Sequence, residues 1–344
     1  MTPPNVFIPK CIKTDQWPPL HREAWGLLFV EAGLFDDPKP TLKWRPKTIE
    51  KVQKGYGIWL SFHIQCGVNI ELTTPAELVT KETVRGFREA FMRRDAADLT
   101  IFSHINELYL AIINLAPDHD WSWLKRASHN LRKRARLKKE KLPRLKSSDQ
   151  LINCGLSLMN EAETNEHLSP YKRALMFRDG LMIASLAYRP MRAQNFVSMK
   201  LQENLTIIGN SWNIKFCPTE TKNKKHFEAE YPINLNDYLD KYLSIYRPFL
   251  LSLAEGSGHK VEENSCKYLW ISNEGRNLDA GSFTVAIKRK TLEFFGEYIY
   301  PHLFRDASVT TLIRHDPASA RLTKSVLGHN SIEITNQHYN YNWT

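Results

Sequence analysis

Apolar residues in the first half of the chain recur at the spacing of an α-helix. Intervals of three and four residues place one stripe on a single helical face, formed by Ile49, Val52, Tyr56 and Trp59. A second stripe at the same spacing runs from Ile101 to Leu115. Residues 1–40 show no such period and are rich in proline. We therefore predict an irregular N-terminal arm over residues 1–40 and an all-helical bundle over residues 41–124.

The second half of the chain alternates between helical stretches and short runs typical of β-strands. Gly209 and Asn210 form a turn signal between the first two of these runs. The predicted strands are 205–208, 212–217, 227–233 and 268–272. The predicted helices are 171–186, 235–254, 279–295, 301–314 and 318–327, with a last helix from Ser331. We therefore predict a mainly α fold with a small antiparallel sheet, whose second domain spans residues 148–344.

Length and composition exclude several classes of protein. A chain of 344 residues can form two cores, and its 42% hydrophobic and 24% charged residues are ordinary for globular proteins. No apolar run reaches the roughly 18 residues that cross a bilayer, and the first ten residues lack the apolar centre of a signal peptide. The five cysteines are scattered, so neither a disulfide framework nor a zinc site is predicted. We expect an intracellular protein with no membrane partner.

Positive charge is concentrated in one segment. Residues 125–146 contain eleven Lys or Arg and one acid, Glu140, and this segment alone carries a net charge of +10, equal to that of the whole chain. A basic block between neutral regions indicates a polyanionic partner, although a solvated linker has the same composition. We predict a basic linker over residues 125–147, with DNA contacts from Arg132, Lys133, Arg134, Arg136, Lys138 and Lys139.

Six residues suit the attack of a tyrosine hydroxyl on a DNA phosphodiester. Arginine neutralises the phosphate with a permanently charged fork, and histidine handles protons near neutral pH. Lysine can protonate the leaving oxygen, and tyrosine becomes a nucleophile among positive charges. No Gly-rich phosphate loop or acidic cluster accompanies them, so we expect no metal, ATP or other cofactor. The six residues are Arg192, Lys222, His302, Arg305, His329 and Tyr339.

Local signals place some of these residues on defined elements. Pro301 is suited to the first turn of a helix, on which His302 and Arg305 share a face at i and i+3. Gly328 permits a sharp turn before His329. On a straight final helix, Tyr339 would lie about 13 Å along the axis from the helix start. That is far for residues that act on one phosphate, so the last segment must fold back or break.

The chain resembles a tyrosine recombinase of the phage-integrase family over nearly its whole length. The most specific segment is HLFRDASVTTLIRHDPASARLTKSVLGHNSIEITNQHYN, and LAYRPMRAQNF and TETKNKKHFEAEYPI carry the upstream arginine and lysine. The resemblance implies a helical core-binding domain and an α+β catalytic domain, which form a C-shaped clamp around double-stranded DNA. It also implies four protomers on two DNA sites, a 3′-phosphotyrosine intermediate with Tyr339 as the nucleophile, and a cytoplasmic protein that associates with the nucleoid.

The chain departs from the family pattern at three positions. Asn195 stands where an acid is usual, Asp306 follows Arg305 where His or another polar residue is common, and Tyr341 stands where His often follows the nucleophile. The assignments also leave neighbours open. They are Arg189 for the first arginine, Lys224 or Lys225 for the lysine, and Tyr341 for the nucleophile.

Three functions remain open at this point. The first is a site-specific recombinase or integrase, which the six residues and the basic block favour. The second is an enzyme of the type IB topoisomerase kind, which shares this chemistry. The third is an architectural or regulatory DNA-binding protein with impaired catalysis, which the changes at Asn195 and Asp306 favour.

Overall fold

The computed structural model describes residues 7–33, 37–136, 144–256 and 265–315. The chain divides into two compact units, Met1–Glu140 and Lys141–Thr344, each with its own hydrophobic core. In the described ranges, no helix is both long enough and apolar enough to cross a membrane.

The N-terminal unit is built from helices whose starts are encoded locally. Proline occupies the first turn of three of them, where its missing N–H costs nothing. Thr74 and Thr80 each cap a helix through a reciprocal capping box. The helices are α1 (Pro19–Leu27), α2 (Pro46–Gln65), α3 (Pro75–Leu78), α4 (Lys81–Arg93), α5 (Asp98–Leu115) and α6 (Ser122–Arg134), with short 3₁₀ turns at Thr14–Gln16 and Pro40–Lys43.

The core of this unit includes part of the segment predicted to be an irregular arm. Helix α1 forms within that segment, and Phe7, Trp17 and Trp25 are buried in the core. Trp17 meets Trp25 and Tyr56 edge-on, at ring distances of 5.6 and 5.3 Å. The prediction of irregular chain is therefore wrong for Pro19–Leu27. Large aromatic side chains anchor this short helix, although its own apolar period is too brief to be visible in the sequence.

The basic segment predicted as a linker begins inside a helix. Residues 125–134 belong to α6, whose Leu124 and Ser128 are buried against the bundle. Ser128 Oγ donates to Asn106 Oδ1 of α5 at 3.2 Å. The prediction of a linker is therefore wrong for these ten residues, because their apolar and small side chains pack against α5 while their charges face outward.

The C-terminal unit places a small sheet among helices. Strand β2 pairs antiparallel with β1 and β3, so that Ile214 lies opposite Leu205 on one side and Ala229 on the other. The strands are β1 (Leu205–Ile208), β2 (Ser211–Phe216) and β3 (Phe227–Glu230). The helices are α7 (Ser148–Thr164), α8 (Pro170–Tyr188), α9 (Ala193–Val197), α10 (Asn236–Lys241), α11 (Arg247–Gly256), α12 (Ala280–Phe295) and α13 (Pro301–His315), with a π-helical turn at Tyr242–Tyr246 and 3₁₀ turns at Ile233–Leu235 and Ser265–Lys267.

Helices α7 and α8 pack at unusually short range. A Cβ on Gly155 would lie 2.6 Å from the carbonyl oxygen of Gly180, and a Cβ on Gly180 would lie 2.7 Å from that of Gly155. Both residues are therefore required as glycine for this approach. The buried Phe177 and Leu181 of α8 form the centre of the unit's core beside them.

The segment predicted as a strand at 268–272 makes isolated bridges instead. Tyr268 pairs with Lys200 and Ile271 pairs with Asn277, each as a single bridge. The carbonyl oxygen of Tyr268 accepts bonds from Nε and Nη2 of the buried Arg247, at 3.1 and 2.7 Å. The segment forms backbone hydrogen bonds with residues 199–201 and 276–278, but these make single bridges and no ladder, so the strand prediction is wrong here.

Candidate active site

Arg192 stands at the junction between α8 and α9. It is half-buried, and its extended backbone forms the N-cap of α9, where its carbonyl oxygen accepts from Phe196 N at 2.9 Å. Phe196 is buried and stacks on Trp270 at a ring distance of 5.1 Å. Met191, on the other side of Arg192, is also a buried core residue. The backbone at Arg192 is consequently held by buried neighbours on both sides.

Arg305 reaches the same junction from α13. The helix begins at Pro301, as predicted, and the half-buried Arg305 lies one turn after the exposed His302. Nη1 of Arg305 donates to the carbonyl oxygen of Pro190 at 2.9 Å. The structure therefore brings Arg305 against the segment that carries Arg192, although 113 positions separate the two arginines in the chain.

Lys222 is exposed in the connection between β2 and β3. The preceding Glu220 accepts a hydrogen bond at its carbonyl oxygen from Nδ2 of Asn195, at 3.1 Å. Asn195 lies in α9, three residues after Arg192. The segments that carry Arg192, Lys222 and Arg305 are therefore joined by two side-chain-to-backbone hydrogen bonds.

His302 lies beside an aromatic and cationic cluster. The Tyr300 ring is 5.7 Å from the His302 ring, tilted by 30°. Lys288 Nζ of α12 lies 4.9 Å from the centre of the Tyr300 ring and 5.2 Å from that of Tyr298. This cation–π contact anchors the start of α13 to α12.

His329 and Tyr339, together with the alternative Tyr341, lie outside the described residues. Arg189, the alternative to Arg192, donates from Nε to the carbonyl oxygen of Glu230 at 3.1 Å. The sequence shows Asn195 as a departure from the family pattern. It gives no sign of the hydrogen bond from Asn195 to the β2–β3 connection that carries Lys222. Nor does it indicate Lys288, whose spacing from Tyr298 and Tyr300 carries no motif.

The predicted DNA-contacting residues lie at the end of α6 and just beyond it. Arg132, Lys133 and Arg134 form its last turn, where positive charge also stabilises the helix dipole. Arg132 lies over the Phe102 ring at 5.3 Å, and the backbone N–H of Arg136 donates to Asp98 Oδ2 at 2.9 Å. Lys138 and Lys139 lie outside the described residues.

A basic groove of about 720 Å³ runs between α4, α5 and α6. Its apolar floor includes Val84, Ile101 and Trp123, and Asp98 lies in its wall. Its cationic wall is formed by Lys81, Arg85, Arg88, Arg126 and Arg134. Three of these residues recur at i, i+4 and i+7 on α4, a spacing visible in the sequence, but they escape a search for contiguous basic runs.

Comparison with known proteins gives the same classification. The family model described as "Phage integrase family" matches residues 156–343, more than half of the chain. No curated protein sequence matches significantly. The fold resembles XerH site-specific recombinase bound to difH substrate in a pre-cleavage complex, with a TM-score of 0.54, 14% identity, and 94% of this chain and 92% of that chain covered.

A second similar structure is the Tn1549 transposon integrase in complex with transposon right end DNA. Its TM-score is 0.52 at 12% identity, with 88% of this chain and 91% of that chain covered. At these identities the likeness shows the fold, and the family model shows the membership. The chain belongs to the phage integrase family of tyrosine recombinases.

Proposed function

We propose that this protein is a site-specific DNA recombinase that cleaves and rejoins DNA through a 3′-phosphotyrosine intermediate, without metal or ATP. The observation that carries the proposal is the hydrogen bond from Arg305 to Pro190, which sets two candidate phosphate-binding arginines beside one backbone segment. In this proposal the N-terminal unit is the core-binding domain and the C-terminal unit is the catalytic domain.

Arg192 and Arg305 bind the scissile phosphate. A guanidinium stays charged at any physiological pH and offers five N–H donors, so a bond to a carbonyl fixes its orientation without removing its charge. Placed around the phosphate, the two cations stabilise the extra negative charge of the transition state. His302 and His329 assist this stabilisation and the movement of protons.

Tyr339 and Lys222 carry out bond exchange. The Tyr339 hydroxyl gives its proton to one of the two histidines as its oxygen attacks the phosphorus, and the bond from phosphorus to the 5′ oxygen breaks. The electron pair of that bond stays on the 5′ oxygen, which takes a proton from Lys222 Nζ. The product is a phosphotyrosine ester on the 3′ side and a free 5′ hydroxyl. Attack by a 5′ hydroxyl reverses the step and rejoins the strand, so no external energy source is required.

The DNA-binding surface combines the end of α6 with the basic groove. The residues proposed to contact phosphates are Arg132, Lys133, Arg134, Arg136, Lys138 and Lys139, together with the cationic wall of the groove. The similar XerH and Tn1549 integrase structures contain DNA, which supports this partner. We extend the proposal to four protomers acting on two DNA sites, in the cytoplasm and in association with the nucleoid.

The test is a covalent-adduct experiment. Duplexes that bind the full chain are selected from a randomised pool, and the cleavage position in them is mapped. Each duplex is then rebuilt with a nick near that position. After cleavage the short strand end diffuses away, so the strand cannot be rejoined and the covalent adduct accumulates. The wild type should form a protein–DNA band on a denaturing gel in the presence of a chelator, and Tyr339→Phe should not. A band that persists in the variant would contradict the assignment of the nucleophile. DNA binding without an adduct from the wild type would favour the architectural protein.

A further inference from the structure

The connection between β2 and β3, which carries Lys222, is stabilised by hydrogen bonds from its own side chains. On the near side, Glu220 Oε2 accepts from Cys217 N at 2.7 Å, and Glu220 N donates to the carbonyl oxygen of Cys217 at 3.0 Å. On the far side, Thr221 Oγ1 donates to the carbonyl oxygen of Lys225 at 2.7 Å and accepts from Lys225 N at 3.0 Å. Lys222 is therefore an exposed residue of a loop whose backbone is fixed by hydrogen bonds on both sides.

The same loop is attached to the body of the unit at Glu220. Asn204, which is buried, donates from Nδ2 to Glu220 Oε1 at 2.9 Å and to the carbonyl oxygen of Lys215 at 3.1 Å. These bonds tie the loop to the sheet. The bond from Asn195 Nδ2 to the Glu220 carbonyl, at 3.1 Å, ties it to α9 and so to Arg192. The Asn195 bond is therefore the attachment that relates Lys222 to the phosphate-binding segment.

We propose that Asn195 is a positioning residue for Lys222, acting by holding the Glu220 backbone at a fixed distance from Arg192. This inference rests on the proposed function, because Lys222 matters only if it protonates a leaving oxygen. An amide is required at position 195. Its NH₂ donates to a carbonyl, whereas an ionised carboxylate only accepts and would repel the same oxygen. The replacement of the usual acid by Asn195 therefore supplies the hydrogen-bond donor that this loop needs, and it does not impair catalysis.

The step at stake is proton delivery during cleavage. As the bond from phosphorus to the 5′ oxygen breaks, the electron pair moves to that oxygen and Lys222 Nζ supplies its proton. If the 5′ oxygen is replaced by sulfur, the leaving group is a thiolate. A thiol has a pKa of about 8.5, so the thiolate leaves at neutral pH without a proton donor. A defect confined to proton delivery is therefore rescued by the sulfur substrate, whereas a general structural defect is not.

The experiment measures single-turnover adduct formation by the full chain on selected duplexes, with oxygen or sulfur at the bridging 5′ position. Asn195→Ala and Asn195→Asp should slow cleavage of the oxygen substrate by between about tenfold and a hundredfold, the cost of misplacing a catalytic group. Both should cleave the sulfur substrate within about twofold of the wild type. Lys222→Ala should show the same rescue with a larger initial loss, of about a hundredfold or more.

A matched control removes the same kind of bond elsewhere. Asn213 Nδ2 in β2 donates to the carbonyl oxygen of Ser211 at 3.1 Å, and Asn213→Ala should leave both rates unchanged. Equal slowing of both substrates by the Asn195 variants would overturn the proposal, and so would an unchanged rate on the oxygen substrate. Failure of the wild type to form an adduct on either substrate would instead contradict the proposed function itself.

Discussion

Arg305 and Pro190 are joined by a hydrogen bond of 2.9 Å from a guanidinium to a backbone carbonyl, and this bond links α13 to the turn before Arg192. The orientation of one candidate phosphate ligand is therefore set by the backbone that carries the other. Arg305 is thereby held against the segment that carries Arg192, and donors held in a fixed orientation stabilise a developing charge most strongly.

Arg305→Lys is expected to lower the cleavage rate by about a hundredfold or more, because an ammonium keeps the charge but cannot reproduce the planar fork. Adduct formation on a nicked duplex measures the effect. DNA affinity should change little, since the proposed function assigns most phosphate contacts to the basic surface of the N-terminal unit. Arg189→Lys is the matched control, because Arg189 also donates to a backbone carbonyl, at 3.1 Å to Glu230. A loss from Arg189→Lys as large as that from Arg305→Lys would instead favour Arg189 over Arg192 as the first arginine.

Gly180→Ala is expected to destabilise the C-terminal unit by about 1–3 kcal/mol, because the new methyl group overlaps the backbone of α7. Gly26→Ala in α1 makes a useful comparison, since a Cβ there meets nothing within 4 Å. That substitution should stabilise by roughly 0.5–1 kcal/mol through reduced backbone entropy. Denaturant unfolding followed by circular dichroism distinguishes the two. Equal behaviour of both variants would contradict the close approach of α7 and α8.

The N-terminal unit should lose stability as the solution becomes mildly acidic. Burial lowers the pKa of His63 from 6.5 to about 4, with a further lowering from the nearby His21, whose own pKa is also lowered by burial. Between these values the unfolded chain binds a proton that the folded chain excludes, so stability falls as the pH drops from about 6.5 toward 4. The full effect of His63 is roughly 3 kcal/mol.

Thermal unfolding followed by tryptophan fluorescence, at several pH values, measures this dependence. His63→Phe should flatten the curve in that window, because phenylalanine can occupy the aromatic site beside Trp59 and Phe62 without titrating. The exposed His119→Gln should leave the wild-type curve unchanged. An unaltered pH dependence in His63→Phe would show that other groups cause it.

The basic groove should contribute to the salt dependence of DNA binding. Replacing Arg85 and Arg88 together with alanine is expected to reduce the slope of log affinity against log salt by about 2, one unit for each phosphate that the protein no longer neutralises. Lys43 is an exposed charge that does not line the groove, and Lys43→Ala should leave the slope as it is. Fluorescence anisotropy with a random-sequence duplex measures both. A slope unaffected by the double substitution would place the DNA elsewhere.

Much of the C-terminal fold was predictable because its signals are local. The Gly209 turn has the positive φ that its residue type permits, and the start of α13 at Pro301 follows from proline chemistry. The errors arose where distant residues decide the outcome. Arg247 donates hydrogen bonds to the carbonyl oxygen of Tyr268, and large aromatic side chains pack around α1. Neither contact has a local signature in the sequence.

The candidate site was predictable as residue types but not as an arrangement. His302 and Arg305 fall within one short motif on one helix, so their relation could be inferred directly. The bonds from Arg305 to Pro190 and from Asn195 to Glu220 join segments far apart in sequence through backbone oxygens, which carry no residue identity. The catalytic roles assigned to all six residues remain predictions, and His329 and Tyr339 also lie outside the described part of the chain.

The close approach of Gly155 and Gly180 has a consequence for how this sequence can diverge. Helix α8 leads within four residues to Arg192, so the depth at which it sits against α7 sets where that arginine emerges. A side chain gained at either glycine would shift the segment that carries this arginine relative to α13 without touching the reaction centre. Selection on recombination should therefore hold these two buried positions as tightly as the residues that meet DNA.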